Sequence, residues 1–481
     1  MFNDLREFID KAGKLGEVEV IEGASRDLEI GVLSELKALT PDSPLLLFDK
    51  IKGFPPGYRV AVNLFSTPKK IALAFGLPLE LKGIDMVRAM RDRWHDGVPL
   101  IPPVEVASGP VKENVLTGAD VDLLKFPAPQ WHELDGGRYL GTGNTVIQRD
   151  PDEGWVNLGV YRVQVFDRDT AVVNIAPGQH GYLIQKKYWS RGQNCPAVVT
   201  CGQEPLLWAT AGLQLSWGTS EYDYAGGMRG APVEVTRGVT TDLPIPATAE
   251  IALEGELVPP EVETRLEGPF GEWPGYYAGR SRQKPAFKVK SILYRNNPII
   301  QGNPPSRFPS IWTLGRHIQK AAILWHELDR QMPGVQGVWM VEEAGMHSMP
   351  VISLKQQYGG HARQAAQVAS SCSATGRDAR FIIVVDEDID PSNLGEVIWA
   401  MATRCDPEKA IDIMRACWST QANPLLTQEQ LEQGILEQSR AFILACKPYH
   451  RIKDFAPAIE TSPELLDKTR KKWRRLFPGA D

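Results

Sequence analysis

Glu267 and Glu272 flank Gly268, Pro269, Phe270 and Gly271 in the stretch "LEGPFGEWPGYY". Carboxylates at this spacing share no face of a helix, and in a flat strand they point to opposite faces. Two glycines and a proline bend the chain instead, so both acids can turn into one cavity. Carboxyls held close split their pKa values, leaving one proton donor and one carboxylate, which is what acid–base chemistry needs. The plain alternative is a surface loop with two solvated acids. Phe270, Trp273, Tyr276 and Tyr277 weigh against it, because they predict a partly buried loop.

Four other stretches carry residue types suited to chemistry. In "NLGVYRVQV", Asn157 and Arg162 lie on a strand-like segment, and an arginine among alternating apolar residues needs an anionic partner. "APGQHGYL" places His180 in a glycine-marked turn, as a metal ligand, a base or a plain loop histidine. "SWGTSEYDYAGGMRG" puts Glu221 in a loop whose hydroxyls and backbone N–H groups suit a phosphate. Asn157, His180 and Glu221 would together make a mixed O/N/O set for a divalent ion, although their spacing is not diagnostic. "FIIVVDEDIDP" runs an apolar strand into four acids and reads as a solvated strand end with capping acids rather than a metal site.

The elements that must position these residues fall into an ordered series. Phe2, Leu5, Phe8 and Ile9 predict an N-terminal helix over 2–14. "PLLLFDKIKGFPPGYRVAVNLF" predicts strand, turn, strand; "TPKKIALAFGL" and "GIDMVRAMRDRW" predict two short helices. From about Leu123 to Leu293, β-branched residues and alternation predict a strand-rich region. A helix follows, capped by Ser310, with Leu314, Ile318, Ala321, Trp325 and Leu328 on its apolar stripe. Strands then alternate with helices, which predicts a small α/β unit. The basic helix in "SPELLDKTRKKWRRLF" reads as a subunit contact.

The expected fold class is multidomain α+β. Its parts are an N-terminal α/β domain (1–115), a central split β-barrel-like cofactor domain (116–304), a connector and linker helix (305–332), a C-terminal α/β domain (333–455) and a C-terminal helix (456–481).

Composition narrows the function classes. The chain has 481 residues, 43% of them hydrophobic and 23% charged, with a net charge of −6. That balance argues against nucleic acid as a partner, since phosphate backbones want a concentrated basic surface. Six dispersed cysteines without a CxxC pair form neither a zinc knuckle nor a disulfide framework. No apolar run reaches the roughly 18 residues that span a membrane. A cytoplasmic protein with reduced thiols is the expectation.

The ordered set of "NxxxxR" at Asn157 and Arg162, "GQH" at Gly178 to His180, the Glu221 loop and "EGPFGE" at Glu267 to Glu272 resembles the UbiD-like decarboxylases. The resemblance runs from the "LREFID" helix to "VDEDIDP…VIWAMATR". It implies a carboxy-lyase that uses prenylated flavin mononucleotide on an aromatic, heteroaromatic or α,β-unsaturated acid. It implies that Arg162, Glu267 and Glu272 form the catalytic network, with Glu272 the proton donor and Glu267 the charged partner of Arg162. It implies that Asn157, His180 and Glu221 bind Mn²⁺ (or Mg²⁺) at the cofactor phosphate, with K⁺ nearby. Val160, Tyr161 and Gln179 would line the cofactor, and Arg440 would stand where the family usually has a phosphate-binding lysine. A flavin prenyltransferase as cofactor supplier and a homodimer or trimer of dimers are further implications.

Removing CO₂ from an sp² carbon needs an electron acceptor, which a cofactor supplies. The donor acid must be protonated, so its surroundings must be apolar, and Phe270 and Trp273 suit that. Substrate contacts are expected around Trp273, the "PPSRFPSIW" connector and Phe442, with Arg307 and His317 as candidates for a second polar group. A glycosidase-like use of the two carboxylates and a non-catalytic assembly subunit are the alternative readings.

Overall fold

Asp4 opens the first helix: its carboxylate accepts from the Glu7 N–H, and the helix runs Leu5–Lys14 with Leu5, Phe8 and Ala12 buried. The computed structural model describes residues 2–40, 42–94, 96–308, 314–345 and 347–476. The chain forms the expected multidomain α+β fold, and the described residues are organised around three large sheets and one small one.

The first sheet has four strands in the order Val18–Glu22, Leu45–Asp49, Arg59–Val62 and Ile299–Gln301. Its last strand is parallel to Arg59–Val62 and comes from beyond the strand-rich region, so the two parts of the chain share a sheet. The helices Pro68–Phe75 and Gly83–Arg93 form as the sequence predicts. The strand Val18–Glu22 and the helix Glu29–Ala38 are additions to the sequence reading.

The central sheet has ten strands, all paired antiparallel. Its spine is the 13-residue strand Arg282–Tyr294. Both faces are covered. Val146, Val199 and Leu253 point into one core cluster, while their neighbours Ile147, Val198 and Ala252 point into another. That is the period-two alternation of a strand with two buried sides.

The C-terminal sheet has five strands in the order Val335–Met340, Pro350–Leu354, Phe381–Asp386, Glu437–Ala445 and Ile411–Trp418. Its three central strands are parallel, and the helices His361–Ser371 and Leu394–Arg404 belong to this unit. The linker helix Leu314–Gln331 buries Ile318, Ala321, Trp325 and Leu328 as its stripe predicts. Its expected cap, Ser310, lies outside the described residues. The helix Pro463–Lys472 is present and buries none of its residues.

Of the acids of "VDEDID", Glu387, Asp388 and Asp390 are exposed as expected and Asp390 accepts from Ser392 N–H, whereas Asp386 is buried. Arg404 Nη1 bridges Asp386 and Asp388, at 2.9 and 2.7 Å, and Lys447 Nζ reaches Asp388 at 2.8 Å. Arg404, ten residues into the next helix, was not paired with them from sequence because the contact closes through the fold. None of the six cysteines is in a disulfide. Among the described residues, no helix is long and apolar enough to cross a membrane.

One buried acid ties three segments together. Glu250 takes a bidentate pair from Arg6 at 2.7 Å each, Arg295 Nη1 at 3.3 Å and the Ile299 N–H at 3.2 Å. Removing one partner of a buried charge network strands the others. Glu250→Ala is therefore expected to cost about 3 kcal/mol, read as a lowered midpoint in urea denaturation.

Candidate active site

Arg162 sits in the turn between the strands Val156–Gly159 and Val163–Val165, with its backbone carbonyl accepting from Asn174 N–H. Its side chain crosses to the "EGPFGE" loop. Nε and Nη2 donate to the two oxygens of Glu267 at 2.6 and 3.0 Å, and Nη1 donates to Glu272 Oε1. The guanidinium lies over the Phe270 ring at 5.2 Å. The anionic partner that an arginine among these apolar residues requires is thus both glutamates of the loop.

The loop is shaped by its small residues. Glu267 ends the strand Thr264–Glu267; Gly268 then takes φ +86°, a conformation that favours glycine, ahead of a cis bond to Pro269. Glu272 opens a tight turn in which its N–H donates to Tyr276 O at 2.9 Å. Phe270 is buried as expected, but Tyr276 is 61% exposed and contributes no burial.

The two carboxylates are unequal. The Glu267 side chain is 2% exposed, that of Glu272 23%. A cavity of about 530 Å³ is lined by Glu272, Arg162, Phe270 and Trp273, and not by Glu267. Burial alone would push the Glu267 carboxyl up. The charge and hydrogen bonds of Arg162, helped by Lys284 and Tyr139, outweigh it and hold Glu267 below the ordinary carboxylate range.

The same cavity is lined by Asn157, His180 and Glu221. The sequence places the last two on loops; the structure makes each the first residue of a helix, His180–Trp189 and Glu221–Arg229. Gly178 at φ +84° turns the chain into the first, and the Ser220 hydroxyl caps the second. Glu221 Oε2 accepts from the Leu158 N–H at 2.7 Å, which binds it to the strand that carries Asn157. Burial raises the Glu221 carboxyl to about 8 and lowers His180. The His180 ring is edge-on to Trp155 and Trp217. A deeply buried carboxylate beside a neutral imidazole and an amide fits a divalent cation. Among the described residues, no three His, Cys, Asp or Glu side chains cluster as metal ligands, so such a site depends on the Asn157 amide.

Val160, Tyr161 and Gln179 also line the cavity; Arg440 does not. Its guanidinium is spent on the carbonyls of Ala379, Ser370 and Gly376, at 2.8, 2.6 and 2.6 Å. Two arginines not singled out from sequence line the cavity instead, Arg316 and Arg377. Arg377 is held by a two-pronged contact with Asp378, at 2.7 and 3.1 Å. Arg316 lies over Trp208 at 5.1 Å, in space that exists because residue 212 is glycine. The "TGRD" turn before an apolar strand was the available signal for Arg377. Of the expected substrate contacts, Trp273 and Pro305 line the cavity, while Phe442, Arg307 and His317 do not. His317 is buried edge-on to Trp339, and residues 309–313 of the connector lie outside the described residues.

Comparison with known proteins agrees along the chain. Models of the 3-octaprenyl-4-hydroxybenzoate carboxy-lyase (UbiD) match as N-terminal domain over 7–90, Rift-related domain over 103–308 and C-terminal domain over 313–445. The chain is 35% identical over 422 residues to pyrrole-2-carboxylic acid decarboxylase of Pseudomonas aeruginosa, covering 84% of this chain and 83% of that one. It is 32% identical over 433 residues to phenolic acid decarboxylase of Sedimentibacter hydroxybenzoicus, covering 87% of each. Among solved structures it is similar to the closed form of vanillic acid decarboxylase from Sedimentibacter hydroxybenzoicus, with TM-score 0.87, 27% identity and 99% of each chain covered. It is also similar to the UbiD-class enzyme HmfF from Pelotomaculum thermopropionicum in complex with FMN, with TM-score 0.83, 25% identity and 98% and 100% coverage.

The loop's placement leaves no room behind it. A Cβ at Gly136 would lie 1.8 Å from the Gly268 carbonyl oxygen, whereas one at Gly279 would meet nothing within 4 Å. Gly136→Ala is expected to lower stability by about 1–3 kcal/mol through overpacking, and Gly279→Ala to be near neutral. Thermal unfolding of the pair checks this.

Proposed function

The chain belongs to the UbiD family and is a carboxy-lyase, and from that premise we propose that it removes CO₂ reversibly from an aromatic, heteroaromatic or α,β-unsaturated carboxylic acid with prenylated flavin mononucleotide as cofactor. The observation that carries the reading is the inequality of the two glutamates: one guanidinium holds both, and only Glu272 reaches the cavity. A flavin cofactor is supported by the neighbour solved with FMN and by a related dimeric form solved with prenylated FMN.

The cavity's polar groups suit a phosphorylated cofactor. Arg377, kept charged by Asp378, and Arg316 would take the phosphate, in place of the Arg440 first expected. Asn157, His180 and Glu221 would hold Mn²⁺ or Mg²⁺ against it, which supplies the counter-charge a buried dianion needs. Val160, Tyr161 and Gln179 would pack along the cofactor. When bound, the prenylated flavin supplies the electrophilic centre that takes up the electrons left as CO₂ departs.

The chain's own residues then have separate tasks. Arg162 orients the loop and, through Glu267, keeps a compensated charge beside the reacting carbon. Glu272 is the group that would pass a proton to the carbon that has lost CO₂, and in the reverse direction take it back. Phe270 and Trp273 keep water from that proton transfer. A glycosidase-like division would need both carboxylates on the bond being cleaved, and Glu267 is enclosed.

Glu272→Gln is expected to lower the decarboxylation rate by about 10²- to 10⁴-fold with flavin still bound, measured by CO₂ release and by absorbance of protein coexpressed with a flavin prenyltransferase. Wild-type turnover in that variant would remove Glu272 as donor. His180→Ala is expected to carry less metal and less flavin than wild type, by elemental analysis and absorbance. Unchanged metal content would take His180 out of the ligand set.

A further inference from the structure

Behind Glu267 lies a layer of groups to which the proposed chemistry assigns no task. The Tyr139 side chain is fully buried, and its hydroxyl lies 3.2 Å from Glu267 Oε1 and 3.2 Å from Gln164 Oε1. Gln164, itself 2% exposed, accepts from the Gly268 N–H at 2.9 Å and donates to the Gly136 carbonyl at 3.0 Å. The Gly136 N–H donates to Pro269 O at 2.8 Å. The Tyr139 ring packs on Phe270, centroids 4.4 Å apart. Two paired strands, Arg138–Gly141 and Val163–Val165, thus grip residues 267–270 from behind. The fit is close: a Cβ at Gly137 would lie 2.6 Å from Gln164 Nε2.

A phenol has one proton and here faces two acceptors. The Gln164 oxygen already receives the Gly268 N–H, and a carboxylate is the stronger acceptor, so the proton goes to Glu267. Held there, Glu267 presents both oxygens to Nε and Nη2 of Arg162, which leaves Nη1 for Glu272.

We propose that Tyr139 is a positioning residue for the acid–base pair: its hydroxyl fixes Glu267 as the charged, two-pronged partner of Arg162, with Gln164 locking the adjoining Gly268. The inference rests on the reading of Glu272 as proton donor and Glu267 as its charged counterpart. Tyr139 does not itself line the cavity and acts through Glu267 and the loop, including the cavity-lining Phe270.

Arg162, Tyr139, and Lys284 and Arg282 from the long central strand act on Glu267 electrostatically; Glu272 from its own loop acts on Arg162, Arg282 and Lys284, Asp135 on Tyr139, and Glu432 on Arg282. Deleting the phenolic donor removes a hydrogen bond to the charged form, which raises the pKa of Glu267. Glu267 must be ionised to hold Arg162, so activity on the acid side is lost at higher pH than in wild type.

The test is kcat and kcat/KM against pH for wild type and Tyr139→Phe, both loaded with cofactor, with thermal unfolding and FMN affinity of the unloaded proteins in parallel. Phenylalanine keeps the ring against Phe270, so unfolding and FMN affinity are expected to stay close to wild type. kcat is expected to fall about tenfold with KM within about twofold, and the acid limb to move up by about one pH unit. Superimposable profiles would overturn the proposal, as would an activity loss equal at every pH. Inactive wild type on every acid tried, or a fully active Glu272→Gln, would instead sink the functional reading on which it rests.

Discussion

A single guanidinium shared between two carboxylates sets the terms for everything around it. Arg162 cannot be buried without anions, and the two glutamates cannot be brought together without a cation between them. Neither half of this arrangement is stable when buried alone. The central sheet exists, in functional terms, to bring the turn after Val156–Gly159 against the end of Thr264–Glu267, more than a hundred residues away in sequence. Because one guanidinium has a limited number of donors, the two acids cannot be equivalent. Glu267 takes two and is enclosed; Glu272 takes one and faces the cavity.

That asymmetry constrains the packing. Both faces of the central sheet are covered, and the cavity lies where the sheet meets the C-terminal unit, whose segments Ser370–Ser373 and Trp418–Ala422 contribute to its wall. The arginines in the cavity wall other than Arg162 come from outside the sheet: Arg316 from the linker helix and Arg377 from the turn before Phe381–Asp386. With the proposed catalytic acids on one unit and the proposed phosphate cations on the others, a cofactor would join parts of the chain that do not share a sheet. The bridge at Glu250 and the strand Ile299–Gln301 hold the N-terminal unit to the same frame.

Much of this was legible in the sequence, for physical reasons. The helix stripe of Ile318, Ala321, Trp325 and Leu328 and the apolar strand before Asp386 are local patterns, and both form as read. Glycines and a proline between two glutamates announced a bend, and the bend is there. Contacts closed only by tertiary structure were not legible. Apart from the "TGRD" turn, Arg377 has no local pattern that marks it as a cavity residue, since its partner Asp378 is simply the next residue in the chain. Arg440 looked available, yet a buried arginine also satisfies orphan carbonyls, and this one does. Tyr139 and Gln164 carried no signal, since a tyrosine and a glutamine on strands look like ordinary packing until the loop is laid against them. His180 and Glu221 were read as loop residues because a glycine- or serine-rich approach to a helix resembles a loop in sequence.

The account's central claim is that this cavity delivers one proton to one carbon, and its most direct measurement is on the reverse half of the reaction. Cofactor-loaded wild-type protein would be incubated in D₂O with the decarboxylated product of an acid it turns over. The account predicts deuterium at the single carbon that had carried the carboxyl group, appearing at a rate comparable to turnover. Release of CO₂ from the acid with no exchange into that position of the product would contradict it.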